Sequence, residues 1–234
     1  MRKLTRNSIL ASAVAISALG LTAIPASANP MYVDISATGA SGSSWGITAT
    51  SSSVTAKDNT TTAAITCSSG AASGTTKLGT NITPTTGIAS VTTLSLTSPA
   101  NKNGWCSGPA GITVQVNPDL TTPWTLDATA VTAAGVTAGK LNGIKASIVG
   151  SDNCHATVSG PGGTGGSVTG SYNNTTHSLT TGGTGSTSNL TVQSVDLNCD
   201  PTLINAGDSI SLNGTFVVTA VSPATGPLTL NAHN

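Results

Sequence analysis

The chain is 234 residues long, with eight basic and eight acidic residues, 7% charged in all and 3% aromatic. Cations so few and scattered cannot displace the counterions of a nucleic acid, and so few ionisable groups leave little to tune for acid–base chemistry. Three Trp, two Tyr and one Phe also cannot furnish the two aromatic girdles of a transmembrane barrel.

The first element is an export signal. Arg2, Lys3 and Arg6 precede an apolar run, SILASAVAISALGLTAI (8–24), and Pro25-Ala26-Ser27-Ala28 follows. Basic, then apolar, then small is the order of a signal peptide, so residues 1–28 are expected to be removed between Ala28 and Asn29. A run of about 17 residues containing Ser and Thr is short for a membrane span. The product is expected to be secreted or held at the cell surface, with no membrane span after signal removal. Beyond residue 28 stand Lys57, Lys77, Lys102, Lys140 and Lys145 against eight Asp, with no Arg and no Glu, a net charge of about −3. Thr, Ser, Gly and Asn take the place of charge.

Residues 29–59 form an N-terminal segment with the first strand or strands. Residues 60–234 form a β-rich domain with a short C-terminal tail. Along it Leu94 and Leu96, then Ile112, Val114 and Val116, alternate with polar residues, the period of a half-buried strand. DATAVTAAGV (127–136) is a strand running into a turn. GPGGTGG (160–166) lacks the GK[ST] of a phosphate cradle and is expected to be a flexible hairpin loop. In NLTVQSVDLNC (189–199) Leu190 and Val192 share a face, and Val195, Leu197 and Cys199 continue it only across a bulge near Gln193–Ser194. Ile210, Leu212, Phe216 and Val218 fall on one face, with Ser209, Ser211, Asn213 and Thr215 on the other. Gly or Pro interrupts nearly every gap, and no helical stripe survives. The fold class is all-β, an antiparallel sandwich of Greek-key or immunoglobulin-like type.

Cys67, Cys106, Cys154 and Cys199 in an exported chain predict two disulfides, with three possible connectivities. Two halves, about 60–122 and 123–222, each read strand, Cys, strand, strand, Cys, strand. Aligning these halves pairs Cys67 with Cys106 and Cys154 with Cys199.

The PW-L-AT segment at Pro123–Trp124, the Cys–x–A–x–V strand at Cys154, the Tyr172-Asn173 turn and the INxGD turn at Ile204–Asp208 resemble a group of uncharacterised exported proteins of actinobacteria. The resemblance covers roughly residues 60–222 and implies a secreted, disulfide-bonded β fold without an established activity.

Asp196, Asn198 and Asp200 alternate as a calcium loop begins, but Pro201 and Gly207 do not fit its later positions. They are expected on a solvated strand face followed by a turn, and Asp208 is expected to close a turn onto its own backbone. No metal, cofactor or catalytic residue is assigned: His155, His177 and His233 lie in no recognisable catalytic setting. Trp45, Trp105 and Trp124 are candidates for stacking on a ligand if exposed and core anchors if buried. The first functional reading is a non-catalytic secreted or cell-surface module, structural, adhesive or self-associating, with itself or a surface polymer as partner. The alternative is a module binding carbohydrate or a small ligand, and a secreted hydrolase is third.

Overall fold

A computed structural model describes residues 30–39, 41–221 and 226–234. The expected export signal and its expected cleavage site between Ala28 and Asn29 lie outside the described residues. After β1 (Tyr32–Ala37), β2 (Ser44–Ser51) and β3 (Val54–Asp58) descend as one bent stave. β4 (Ala64–Cys67) and β5 (Ser69–Lys77) climb beside it, with Lys57 opposite Ala64 and Ser44 opposite Lys77. Past β6 (Gly79–Ile82), β7 (Ala89–Thr97) and β8 (Cys106–Ser107) descend, and β9 (Thr113–Pro118) and β10 (Trp124–Ala128) climb. β11 (Val136–Ile144) with β12 (Ala146–Gly150) descends, and β13 (His155–Ser159) with β14 (Gly166–Asn173) climbs. β15 (Ser178–Thr181) and β16 (Leu190–Val195) descend, β17 (Ser209–Val221) climbs unbroken, and β18 (Gly226–His233) ends the chain.

Each stave is antiparallel to the next, and the eighth returns to the first. One edge of β17 pairs with β3, from Ile210↔Asp58 to Gly214↔Val54, and with β2, from Val217↔Thr50 to Val221↔Gly46. Its other edge pairs with β15 and β16. The all-β antiparallel class is therefore as the sequence predicts, but the architecture is a closed up-and-down barrel rather than a Greek-key sandwich. Alternation of apolar and polar residues is common to both, because each has one dry face; it does not say whether the sheet splits in two or curls onto itself.

The eight staves divide four and four along the chain, over residues 44–128 and 136–221. Residues 44–58, within the segment set apart in the sequence, supply the stave on which the barrel closes. The structure joins Cys67 to Cys106 and Cys154 to Cys199, so each bridge ties the second stave of a half to the third. The expected bulge is present: Thr157 faces Ser194 and Val158 faces Val192, leaving Gln193 unpaired in the ladder. The glycine-rich segment is not a hairpin tip. It interrupts one climbing stave between β13 and β14, with Gly163 N–H donating to Gln193 Oε1 at 3.0 Å. Glycine is required there because a Cβ on Gly165 would meet the Gly143 Cα at 2.6 Å.

β6, β1 and β18 form a small sheet over the upper end, Tyr32 facing His233 and Val33 facing Ile82. Its apolar side chains Val33, Ile35, Leu228 and Leu230 pack with Trp45, Ile47, Tyr172 and Val218 in the upper core. A lower core gathers Trp124, Leu141, Val168, Val192 and Ile210. Polar groups clamp the lid. Tyr172 Oη donates to the Leu228 carbonyl at 2.6 Å, Asn174 Nδ2 to Leu230 O at 2.7 Å, and Ala232 N–H to Thr132 Oγ1 at 2.7 Å.

Burial pushes the Tyr172 phenol up to about 12. The folded chain then keeps a proton that the unfolded chain releases, so the stability linked to it is intact below pH ~10 and is lost as the pH rises toward ~12. Tyr172→Phe is expected to lower the unfolding free energy by about 1 kcal/mol at neutral pH through loss of the Leu228 hydrogen bond. It is also expected to flatten the alkaline decline. Denaturant melts of both proteins at neutral and alkaline pH check both effects.

Candidate functional site: the barrel interior

Eight strands enclose a space that side chains can just fill, or that can hold one small ligand. Several inward positions here carry small residues: Ala49 on β2, Ala56 on β3, Ala72 on β5 and Gly139 on β11. Others carry large apolar residues, such as Leu94, Leu96, Leu126, Leu212 and Phe216, which line the interior yet are only partly buried. Inward-facing leucines that keep accessible surface mark a hollow. The cavity measures about 260 Å³, and its wall is almost wholly apolar. Tyr172, Leu228 and Leu230 close it above, and Ala63, Ile112, Asp152, Asp200, Leu203 and Ile204 surround its lower end. Cys67 and Cys154 also line it, so the two bridges stiffen the wall.

The outer face has the opposite character. Hydroxyls meet in cross-strand pairs: Ser73 with Thr93 at 2.6 Å, Thr75 with Ser90 at 2.9 Å, Thr157 with Ser194 at 2.6 Å and Thr180 with Thr215 at 3.1 Å. The abundance of Thr and Ser thus has a structural use, since paired hydroxyls suit a β-branched, water-facing ladder.

The three tryptophans are not brought together. Trp124 is 3% exposed, lines the cavity and donates Nε1–H to the Asp119 carbonyl at 3.0 Å. Trp45 is 5% exposed in the upper core, and Trp105 is half-buried beside Cys106. Of the three, Trp124 is the one placed to meet an interior ligand. The strand expected through residue 199 stops at Val195. There Asp196 Oδ1 accepts the Asn198 N–H at 3.0 Å and the chain curls, because short Asp and Asn side chains satisfy nearby amides better than a ladder does. Asp200 likewise accepts from the backbone and hydroxyl of Thr202, each at 2.8 Å. Asp208 accepts the Asn205 N–H at 2.8 Å, the turn closure expected of it.

Among the described residues Cys154, Asp196 and Cys199 form one cluster of metal-ligating types, but both sulfurs are consumed in a disulfide. His155 Nδ1 pairs with Asp196 Oδ2 at 2.8 Å in an exposed position, and among the described hydrogen bonds no serine hydroxyl reaches that ring. His177 Nδ1 contacts the Leu228 carbonyl at 3.2 Å, and His233 Nε2 contacts Asp34 at 3.2 Å. Sequence reasoning missed the cavity itself. Its trace is the set of Ala and Gly residues at inward positions, visible only once the inward face of each stave is known.

Compared with protein-family models, curated proteins and solved structures, the chain has no significant match in any of the three.

The bridges close loops of 39 and 45 residues. Removing either by a paired Cys→Ser substitution is expected to lower the unfolding free energy by about 4 kcal/mol in the loop-entropy picture. Equilibrium denaturation of each paired variant against the parent chain checks it.

Proposed function

We propose that the protein binds a small apolar molecule inside the barrel, as an extracellular carrier or sensor without catalytic activity of its own. The observation that carries this reading is the hollow of about 260 Å³ with an apolar wall, inside a barrel whose outer face is clad in hydroxyls. A polar exterior keeps the molecule in water, and an apolar interior offers a ligand what water does not. The volume lies between the ~150 Å³ cavity that holds benzene and the ~300 Å³ lower bound of drug-sized sites, so a ligand of about ten heavy atoms fits. A sugar fits the wall poorly, since buried hydroxyls without partners cost about 1–3 kcal/mol each. Export is supported by the two disulfides. Among the described residues no helix is long and apolar enough to cross a membrane.

A self-associating β module pairs through exposed, uncharged sheet edges. Closure pairs both edges of the barrel staves and leaves free edge to the small lid sheet, which weakens that reading.

Calorimetric titration with naphthalene or 1-decanol, with a disaccharide as comparison, tests the proposal. Saturable binding of the apolar compounds at one per chain, with a negative heat-capacity change and no binding of the sugar, is expected. Ala72→Phe should fill the hollow, weakening binding at least about tenfold while leaving the melting temperature equal or higher. In a fully packed core the same substitution would cost about 1–3 kcal/mol. Absence of binding together with destabilisation by Ala72→Phe would refute the reading.

A further inference from the structure

The third stave (β7 with β8) and the fourth (β9 with β10) pair at their two ends. Above, Ala89 faces Leu126 and Val91 faces Trp124; below, Cys106 faces Val114 and Ser107 faces Thr113. Between these rungs, residues 92–97 of β7 and 115–118 of β9 run side by side with no ladder joining them among the described residues. Their other edges are paired, Leu94 with Ala72 and Val116 with Ile148. The Asp119 N–H donates to the Lys145 carbonyl at 2.8 Å, on the β12 side. By alternation the backbone groups of Val116 and Pro118 therefore point at β7. Proline has no N–H to offer and is tolerated where its nitrogen faces no ladder.

This is a break within a paired seam rather than a free edge. Cα atoms of β7 and β9 approach within 8 Å of each other. A strand inserted between them needs about 9.5–10 Å, twice the ladder spacing, so a peptide has no room there. Side chains fill the gap instead. Leu94 and Leu96 from one side and Val116 and Pro118 from the other are half-buried, and all four line the cavity. Along this stretch apolar side chains, without backbone hydrogen bonds, separate the hollow from water.

Residues 119–123 continue the fourth stave from Pro118 to Trp124 and stand beside the same gap. The base of this segment is fixed. The Asp119 carbonyl accepts Trp124 Nε1–H at 3.0 Å, and Asp119 Oδ1 accepts the Thr121 N–H at 3.1 Å and hydroxyl at 2.7 Å. Among the described hydrogen bonds none ties residues 120–123 to another stave. Leu120 packs against the lower core from a position outside the cavity lining.

We propose that the gap between β7 and β9 is the entrance to the barrel interior, with Leu120 as its gate. The inference rests on the interior-binding reading above. Passage here displaces side chains and breaks no backbone ladder. Passage through the upper end breaks the hydrogen bonds that Tyr172, Asn174 and Thr132 make to β18. At the lower end the rim carries Asp152 and Asp200, and the Thr61 hydroxyl ties the Leu203 carbonyl across it at 2.8 Å. An apolar solute meets neither obstacle at the side. Trp124 lines the cavity and pairs with Val91 at the upper margin of the gap, so it is the first large ring that an entering molecule touches.

Stopped-flow fluorescence with naphthalene and the purified full chain reads both rate constants. Leu120→Ala is expected to raise the association and dissociation rates together, each at least about threefold, with the affinity held within about twofold, because a gate alters the barrier and not the bound state. Asn174→Ala, which loosens the lid, is expected to change neither rate. Leu120→Val should shift both rates less in the same direction, and serves if Leu120→Ala does not fold. Amide exchange gives a readout that needs no ligand: Val116 N–H, facing the gap, is expected to exchange at least about a hundredfold faster than Asn117 N–H, which alternation turns toward β12. Equal protection of the two amides closes the gap and overturns the proposal whether or not naphthalene binds. Saturable binding whose rates Leu120→Ala leaves unchanged, or which Asn174→Ala alone accelerates, overturns the entrance and leaves interior binding standing. A rise in the dissociation rate alone makes Leu120 a ligand contact and overturns its role as gate. Failure of naphthalene to bind the parent chain overturns interior binding, and the entrance with it.

Discussion

The hydrogen bonds that β17 makes to β2 and β3 are the constraint on which the molecule depends. Without them the staves form an open sheet with two long edges, rich in unpaired N–H and C=O groups and poor in the charged residues that protect such edges. With them, both edges are used and the polar backbone is satisfied internally. Closure also fixes direction. Inward residues of staves far apart in the chain come to share one space, so Ile210 of β17 joins Trp124 and Val168 in a single core. The bends that interrupt the staves follow from that curvature, and the bulge at Gln193 and the close approach of Gly165 to Gly143 are two of the places where it is absorbed.

A hollow barrel is not a cheap structure. At about 24 cal/mol per Å³, the rate seen for cavities made by truncating core side chains, a space of 260 Å³ corresponds to a deficit on the order of 6 kcal/mol relative to a filled interior. Two disulfides, each contributing about 4 kcal/mol by restricting the unfolded chain, offset a deficit of that size without filling the space. Their placement matters as well as their number. Both lie in the cavity wall away from the lid, where no β1–β6–β18 sheet braces the staves. Hydrogen bonds hold the upper end, and covalent bonds hold the lower.

How far the sequence discloses this arrangement can be judged element by element. Alternation in SISLNGTFVV reveals β17 and its two faces, because burial on one side requires it. The repeated order of strands and cysteines leads to the pairing the structure shows, because the same order in each half puts its two cysteines on adjacent staves. The slip of phase after Val192 reveals the bulge for the same physical reason. Closure is not legible: the partners of β17 at residues 46–58 lie over 150 positions away, and nothing local marks them. Nor is the hollow, since Ala56 or Ala72 in a strand reads as weak propensity until its neighbours across the barrel are known. The end of β16 at Val195 was obscured because Asp196 and Asn198 suit a polar strand face by spacing, while their side chains favour the turn energetically. Asp58 is, in sequence, one more polar residue in a polar chain; its burial is a property of the seam.

The distribution of charge narrows what the interior can accept. Asp58, Asp152 and Asp200 line the lower part of the cavity, while Asp196 and Asp208 sit in the segment between β16 and β17 at the same end. Of these five carboxylates, one is matched by His155. Lys57 and Lys102 stand at the same end, so five carboxylates face two lysines and the lower end is negative on balance. An amphiphile carrying a carboxylate or phosphate meets repulsion there, and its head group finds no cation on the apolar wall. A neutral molecule enters without either penalty, and its affinity is then set by apolar contact with residues such as Trp124, Leu94 and Phe216. On the proposed reading, neutral ligands are favoured over anionic ones by charges that lie outside the apolar contacts, while size is limited by the Ala and Gly positions within.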